Sequence, residues 1–245
     1  MSDVIIATLN TQHSTLTFMN ILIVSATYLE IEPLLTHFKL VEQVNQKLRR
    51  YTFKNHTIEV LIPGVGMTST AFWMGKTLAN KDYDVAINFG LAGSFEESLP
   101  VGEVVHVVSD RISELGAQDG ESFLSLIDMD LIEDEDFSFM HGEMVNTIAL
   151  ENEVLVKLSN VKAITVNTTH GEPSSIHKVK QLFQPQVESM EGAAFFYACL
   201  LEGISCTQIR AISNKVELRN KENWNIPLAV KNLTDTSLAL LNSLK

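Results

Sequence analysis

The chain has 245 residues, 45% of them hydrophobic and 20% charged, with a formal net charge of −12. This composition suits one large globular domain, and the negative charge argues against nucleic acid or an anionic membrane as a partner. Only two cysteines occur, so we expect a cytoplasmic protein without a disulfide framework. The seven histidines show no metal-ligand spacing, and no apolar run reaches the roughly 18–20 residues that span a bilayer.

Residues 1–18 precede the first strong strand signal and are expected to form an N-terminal extension. They lack the basic segment and the long apolar core of a secretory signal. An extra strand at Val4–Ala7 is the competing interpretation. We therefore assign the folded domain to residues 19–245.

The first predicted unit is a strand followed by a helix. Ile21–Val24 is an apolar run typical of a strand buried on both faces. Thr27 and Glu30 have the spacing of a capping box, and Pro33 falls early in the helix that follows. Glu30 therefore has two interpretations at this stage, a cap of its own helix or a functional carboxylate.

The next segments alternate strands with glycine-containing turns. Residues 51–53 and 57–62 predict a strand pair, and Gly64 and Gly66 predict a tight turn before a helix over 68–79. A strand, a glycine turn and a helix in this order often hold an anion or a sugar hydroxyl.

Small residues also follow the strand predicted at 84–89. Gly90–Ser94 is predicted to be a loop that lets a ligand approach the backbone closely. Another strand is predicted at 103–109, and residues 116–144 are the least regular part of the chain. The acidic run at 133–136 predicts a solvated loop, with a lid or a dimer contact as the alternative because aromatic residues accompany it.

The second half continues the alternation. Residues 150–159 predict a helix, 163–166 a strand, and a Ser/Pro/Gly turn opens a further helix. The segment VESMEGAA then places Glu191 at the start of an apolar helix predicted over 190–202. A carboxylate there either has a ligand as its partner or is a solvated first-turn residue that complements the helix dipole.

The last strand is predicted at 206–212, and Asn225 with Pro227 predicts the start of the final helix. Because strands alternate with helices, the predicted fold is a single-domain α/β, three-layer αβα sandwich with a central mixed, mostly parallel sheet. Ligands bind such sheets at the carboxyl ends of the strands. The residues expected to share that cleft are Glu30, the Gly64–Gly66 turn, the Gly90–Ser94 segment, Glu191 and Asn214.

Six segments, in order along the chain, resemble the nucleoside phosphorylase/nucleosidase superfamily in its hydrolytic branch: IVSATYLEIEPLL, PGVGMTSTA, INFGLAGSF, VGEVVHVVSD, VESMEGAAF and IRAISN. That branch includes methylthioadenosine/S-adenosylhomocysteine nucleosidase and futalosine hydrolase. The resemblance implies hydrolysis of a purine nucleoside without a cofactor or metal, in a homodimer or larger homo-oligomer. Such a reaction passes through an oxocarbenium-like ribosyl group, as glycoside hydrolysis does.

The resemblance also implies roles for individual residues. Glu30 matches the acidic residue that activates the attacking water, and Glu191 matches the carboxylate that bonds the ribose hydroxyls. Asn214 matches the residue that meets the purine at N7. The further substrate-binding candidates are Met190, Gly64, Gly66, Leu91, Ala92, Gly93, Ser213 and Arg219.

Water is the expected nucleophile rather than phosphate. Leu91 stands where related sequences often have serine, and no arginine lies near the Gly64–Gly66 turn. The carboxylate of Glu30 would in addition repel phosphate.

Asn214 departs from the adenine-cleaving relatives, which carry aspartate there. An amide cannot supply a proton, but its NH2 group can donate to N7 and to a carbonyl O6, which suits hypoxanthine. The residues after Asn214 resemble futalosine hydrolases, whose substrate joins a hypoxanthine nucleoside to a carboxyphenyl-ketone arm in a menaquinone route. Arg219 is a candidate for the carboxylate of that arm, with a surface arginine as the alternative.

Three questions stay open from the sequence. The aromatic residue that stacks on the base is unassigned, with His170, Phe195 or an aromatic residue of the acidic loop as candidates. Methylthioadenosine/S-adenosylhomocysteine nucleosidase is the alternative activity. A non-catalytic nucleoside-binding module is the alternative from another class.

Overall fold

The computed structural model describes residues 18–79, 82–133 and 139–244. The strands are β1 (Asn20–Val24), β2 (Lys39–Gln43), β3 (Leu48–Phe53), β4 (His56–Leu61), β5 (Val85–Ser94), β6 (Val104–Ile112), β7 (Gly116–Asp119), β8 (Ser122–Ser125), β9 (Met144–Val145), β10 (Ser159–Thr165), β11 (Val187–Ser189) and β12 (Cys206–Lys215). The helices are α1 (Tyr28–Leu35), α2 (Met67–Leu78), α3 (Pro173–Phe183), α4 (Gly192–Glu202) and α5 (Ile226–Ser243). The extension predicted at 1–18 lies outside the described residues except for Phe18, and so does the competing strand.

The central sheet has the strand order β11-β10-β6-β12-β5-β1-β4-β3-β2, with β9 paired to β6. Pairing is parallel between β1 and both of its neighbours, between β5 and β12, and between β10 and both β6 and β11. It is antiparallel between β12 and β6 and along β2, β3 and β4. Because β11 also pairs antiparallel with β5, the five strands β5, β12, β6, β10 and β11 close into a ring.

Helices cover both faces of this sheet, and strand β1 shows why. Its side chains alternate, so Ile21 and Ile23 pack with α1 and α5, whereas Leu22 and Val24 pack with α2 and α4. All four side chains are at most 1% exposed, and burying each contributes roughly 1.5–3 kcal/mol. The predicted three-layer sandwich with a mixed sheet is therefore confirmed. Within the described ranges, no helix is both long enough and apolar enough to cross a bilayer.

Two predicted boundaries at the strand ends are wrong. The Gly90–Ser94 segment is not a loop, because β5 continues through it to Ser94 with β12 and β11 as hydrogen-bonding neighbours. Ser213 and Asn214 likewise lie inside β12, at a register irregularity between Ile212 and Asn214. The paired neighbours satisfy backbone groups that the small residues alone would leave to water.

Two other regions also differ from the prediction. The helix predicted at 150–159 is wrong, because this segment contains a 3₁₀ turn, Leu155–Lys157, and Ser159 begins β10. The Asn152 side chain accepts a hydrogen bond from the Val154 amide at 2.8 Å, a local bond that competes with helix formation. The irregular region 116–144 contains the β7–β8 hairpin, and most of the acidic run falls in 134–138, outside the described residues.

Candidate active site

A cavity of about 320 Å³ opens at the carboxyl ends of β1, β5, β11 and β12. The strand ends supply most of its lining, as expected for a sheet of this type. The predicted site residues that line it are Glu30, Leu91, Ala92, Gly93, Met190, Glu191, Ser213, Asn214 and Arg219. Gly64 and Gly66 are not part of the lining, whereas Val65 between them is.

Glu30 is both a helix cap and a cavity residue. Its Oε2 atom accepts hydrogen bonds from the Thr27 amide at 3.0 Å and the Thr27 hydroxyl at 2.9 Å, so the predicted capping box is present. Its Oε1 atom accepts from the Leu91 amide at 3.0 Å, which ties the carboxylate to β5. Oε2 thus accepts two hydrogen bonds, whereas Oε1 accepts one and keeps a lone pair, so a fixed Glu30 can still accept a proton from water in the cavity through Oε1.

Glu191 lies at the N-cap position of α4 and is only 6% exposed. This burial excludes the solvated first-turn interpretation. Its Oε1 atom accepts from the Gly66 amide at 2.9 Å. Gly66 has φ of +99°, a conformation that favours glycine. The glycine turn therefore acts on the site through the Gly66 amide, which holds Glu191, and not as a wall of the cavity. Burial raises the pKa of Glu191, and the nearby Glu30 carboxylate raises it further, while Arg210 opposes both effects.

Asn214 is held from both sides. Its Oδ1 atom accepts from the Ser213 hydroxyl at 2.8 Å, and its Nδ2 atom donates to the Lys215 carbonyl at 2.9 Å. The Ser213 hydroxyl also lies 3.3 Å from the Ala92 carbonyl, which links β12 to β5. The side-chain oxygen is therefore occupied by a donor, and one of the two N–H bonds is used by the backbone.

Beneath the cavity lies a chain of buried polar side chains that the sequence analysis missed. Arg210 is 1% exposed; its Nε atom donates to Gln208 at 2.9 Å, and its Nη2 atom donates to Asn88. Gln208 in turn donates to Asp110 Oδ2 at 3.1 Å, and Thr165 donates to Asp110 Oδ1 at 2.8 Å. Gln208 and Arg210 alternate with apolar residues along β12, and this alternation in the sequence indicates a strand face that carries polar side chains.

Two glycines make room for this chain. A Cβ atom on Gly90 would lie 2.1 Å from Arg210 Nη1 and 3.2 Å from Glu30 Oε1. A Cβ atom on Gly192 would lie 2.1 Å from Gln208 Oε1 and 2.2 Å from Asp110 Oδ2. The guanidinium group therefore lies against β5 on the side of Glu30, where its charge offsets the repulsion between the carboxylates of Glu30 and Glu191.

Gly192→Ala is expected to destabilise the protein by about 1–3 kcal/mol, because the methyl group would force the buried amide and carboxylate apart. Gly75→Ala is the matched control, since a Cβ atom on this α2 glycine would meet no atom within 4 Å. It is expected to stabilise the helix by roughly 0.5–1 kcal/mol. Chemical denaturation measures both, and a Gly192→Ala protein as stable as the parent would contradict the packing described here.

The buried polar side chains from Asp110 to Arg210 also make the stability of the protein depend on pH. Burial raises the pKa of Asp110 from 3.8 to about 6, against the hydrogen bonds from Gln208 and Thr165 and the charge of Arg210. Between these values the folded protein keeps a proton that the unfolded chain releases. The contribution of Asp110 to the unfolding free energy is therefore greatest below about pH 4 and falls by roughly 3 kcal/mol as pH rises through about 6.

We expect the unfolding free energy of the parent to decline more steeply over this window than that of Asp110→Asn, which lacks the titrating group. Urea denaturation at half-unit pH steps measures the two slopes. Equal slopes would contradict this assignment to Asp110.

The candidates for base stacking fare differently. Phe195 is 0% exposed and belongs to the core on the α2–α4 side, so it is wrong as a stacking candidate. His170 lines the cavity, and Arg219 lies at its rim with its guanidinium 5.1 Å from the centre of the Trp224 ring.

In the part of the chain that the structure describes, no group of three or more His, Cys, Asp or Glu residues could hold a metal ion.

Comparison with known proteins gives consistent matches. A family model described as the phosphorylase superfamily matches residues 20–242. A futalosine hydrolase of Thermus thermophilus is 27% identical over 184 residues, which cover 73% of this chain and 78% of the relative.

Solved structures match over more of the chain. A methylthioadenosine/S-adenosylhomocysteine nucleosidase of Colwellia psychrerythraea, in complex with adenine, has a TM-score of 0.74 at 19% identity, covering 93% of this chain and 96% of its own. A futalosine hydrolase mutant of Helicobacter pylori has a TM-score of 0.71 at 16% identity, covering 92% and 100%. At these identities the two structures establish likeness of fold alone.

Proposed function

The chain belongs to the phosphorylase superfamily, and we propose that it hydrolyses the N-ribosidic bond of futalosine, releasing hypoxanthine and dehypoxanthinyl futalosine in menaquinone biosynthesis. The observation that carries the proposal is the meeting of Glu30, Glu191 and Asn214 in one cavity. The Thermus thermophilus relative, which bears the name futalosine hydrolase, supports the same activity.

Water is the nucleophile in this proposal. Glu30 and Glu191 place two carboxylates in the cavity, and a phosphate ion would add negative charge beside both. Arg210 lies under the floor, with its Nε and Nη2 atoms already donating to Gln208 and Asn88. Glu30 accepts a proton from the water that attacks C1′, while the bonding electrons pass to the departing purine.

Glu191 holds the sugar. Its Oε1 atom accepts from the Gly66 amide, and the lone pairs left on the two carboxylate oxygens can accept from the ribose hydroxyls. An ionised carboxylate at this position orients the ring and stabilises the positive charge that develops on it. Met190, next to Glu191, also lines the cavity and contributes an apolar contact to the sugar.

Asn214 reads the purine with the N–H bond that the Lys215 carbonyl leaves free. One N–H bond cannot donate strongly to both N7 and O6. We therefore expect Asn214 to make one strong hydrogen bond at this edge of the base. An oxygen at position 6 is compatible with that donor, whereas an amino group presents a second donor. Such a mismatch costs roughly 1–3 kcal/mol, or about 5- to 150-fold in affinity.

Asn214→Asp is therefore expected to move the preference from hypoxanthine toward adenine nucleosides. The introduced carboxyl group can accept a hydrogen bond from the amino group of adenine and, in its protonated form, can donate a proton to N7. The ratio of kcat/KM for the two nucleosides, measured in parent and variant, tests this. An unchanged ratio would mean that Asn214 does not read the base.

The rim suits the arm of the proposed substrate. Arg219 and Trp224 stack on one another and both line the cavity. A phenyl group can pack on the indole ring, and a carboxylate can take paired hydrogen bonds from the guanidinium group. Arg219 is exposed, so it is a surface arginine that also lies at the site.

Product chromatography tests the proposed function. Purified protein incubated separately with futalosine and methylthioadenosine is expected to release hypoxanthine from the first. Release of adenine alone would favour the second candidate, methylthioadenosine/S-adenosylhomocysteine nucleosidase, which the Colwellia structure represents. Binding without release of either base would favour a non-catalytic nucleoside-binding module.

A cytoplasmic location remains a prediction from the cysteine content, and a homodimeric or larger assembly remains a prediction from the resemblance. Exposed apolar side chains in the cavity lining and on α2 support an assembly. Leu29 and Val65 line the cavity and are 57% and 56% exposed, and Phe72 on α2 is 62% exposed. Light scattering of the purified protein measures the state directly.

A further inference from the structure

The proposed reaction leaves one step without a residue. The purine departs with the bonding electrons, so a proton donor at the base accelerates cleavage. Asn214 cannot release a proton. Lys215 donates to the Glu96 carbonyl and lies 3.5 Å from Glu97, and Arg219 lies at the rim with its guanidinium group over the Trp224 ring. Glu30 and Glu191 are already assigned to the water and the ribose, and His170 is the one imidazole in the described cavity lining, a group well suited to proton transfer.

His170 is held in one orientation. Its Nδ1 atom lies 2.7 Å from Glu188 Oε2, and its amide donates to Glu188 Oε1 at 3.1 Å. Glu188 is 4% exposed on β11, and the Phe95 ring meets the imidazole edge to face with centroids 6.2 Å apart. Among the described residues, none forms a hydrogen bond with Nε2, so this nitrogen is available to a ligand.

This histidine lies at the same end of the cavity as Asn214. A Cβ atom on Gly93 would lie 3.3 Å from Asn214 Nδ2 and 3.5 Å from Glu188 Cγ. The Asn214 amide and the Glu188 side chain, whose carboxylate holds His170, therefore both lie next to Gly93, together with Val216. A purine that contacts Asn214 is thus next to the His170–Glu188 pair.

We propose that His170 is a further catalytic residue, which donates its Nε2 proton to the departing purine while Glu188 orients the ring. In the protonated form, the imidazolium makes an ion pair with Glu188 across Nδ1. This inference rests on the proposed N-ribosidic hydrolysis, whichever purine is released.

The step balances without a further reactant. The C1′–N9 bond breaks and its electrons pass to the purine, which takes the proton from His170 at N7 while the free N–H of Asn214 donates to the group at position 6. Water forms the new bond to C1′ and its proton passes to Glu30. His170 then regains a proton from solvent and Glu30 releases one, so the net reaction consumes one water.

The competing role is stacking, in which the ring serves only as a flat surface for the base. A nucleoside methylated at N7 separates the two roles, because its cationic base departs as a neutral molecule and needs no proton. The experiment compares kcat on the cleaved nucleoside and on its N7-methylated form. The variants are His170→Gln, His170→Phe, Glu188→Gln and Glu30→Gln, with His177→Gln on the exposed side of α3 as the matched control.

His170→Gln is expected to lower kcat about 10²–10⁴-fold on the unmodified nucleoside and less than tenfold on the methylated one. Glu188→Gln is expected to show the same asymmetry to a smaller degree. Glu30→Gln is expected to lower both, because both reactions need activated water, and His177→Gln to lower neither.

The pH profile gives a second readout. A general acid has to hold its proton before it can donate it, so activity of the parent on the unmodified nucleoside is expected to fall toward high pH, and this fall should be absent with the methylated nucleoside. The charged side chains that line the two cavities on either side of His170 are Glu30, Glu114, Lys178, Glu188, Glu191, Lys215, Glu217 and Arg219.

Two results would overturn the assignment. Equal losses on both nucleosides in His170→Gln would show that the ring does not supply the proton, and full activity in His170→Phe would show that it only stacks. Release of adenine instead of hypoxanthine by the parent would change the proposed substrate but leave this test in place on that nucleoside. A parent that cleaves no nucleoside would contradict both proposals.

Discussion

Glu30→Gln is expected to lower kcat for nucleoside hydrolysis by about 10²–10⁴-fold, the usual contribution of a general base. Glutamine can still accept hydrogen bonds from Thr27 at the start of α1, so the helix cap survives while the proton acceptor is lost. Steady-state kinetics with the nucleoside that the parent cleaves measures the effect.

Glu32→Gln is the matched control, because Glu32 lies two residues further along α1 and is exposed. Its activity is expected to equal that of the parent. Parent-like turnover in Glu30→Gln would reduce Glu30 to a helix cap and remove it from the mechanism.

Glu191→Gln is expected to lower kcat/KM by about 10²–10³-fold, the usual cost of removing one charge-stabilising group from an active site. The amide oxygen of the variant can still accept from Gly66, so the fold of the turn is retained while the negative charge next to the ribose is lost. Glu202→Gln, at the exposed far end of α4, is the matched control.

Stability distinguishes a functional Glu191 from a structural one. Its pKa is raised by burial, so the ionised form opposes folding, and this cost grows as pH rises above the ordinary glutamate value. Glu191→Gln is therefore expected to unfold at a higher temperature than the parent at neutral pH while losing activity. A variant that loses both activity and stability would point to a structural role.

The locations of β1, β5 and β12 were predictable from the sequence because apolar runs are local patterns, although the carboxyl ends of β5 and β12 were placed too early. Apolar runs located β1, β5 and β12, and the rule that ligands bind at carboxyl strand ends then collected Glu30, Glu191 and Asn214. The structure places all three in one cavity. The capping box at Thr27 was equally local, since it requires only a spacing of three residues.

The remaining features depend on partners distant in sequence. Whether Gly90–Ser94 is a loop or a strand is decided by β12 and β11, which lie about a hundred residues further along the chain. The chain from Asp110 through Gln208 to Arg210 joins two strands that pair only in the folded sheet. Glycine is required at Gly192 because a side chain there would collide with Gln208 and Asp110, and not because a turn demands it.

The most direct test of the account is a competition between futalosine and its 6-amino analogue, which carry the same arm on hypoxanthine and on adenine. The two differ only at the position that Asn214 is proposed to read. We expect the parent to release hypoxanthine about 5- to 150-fold faster than adenine at equal low concentrations, in line with one mismatched polar contact. Equal release of the two bases, or release of adenine alone, would contradict the assignment.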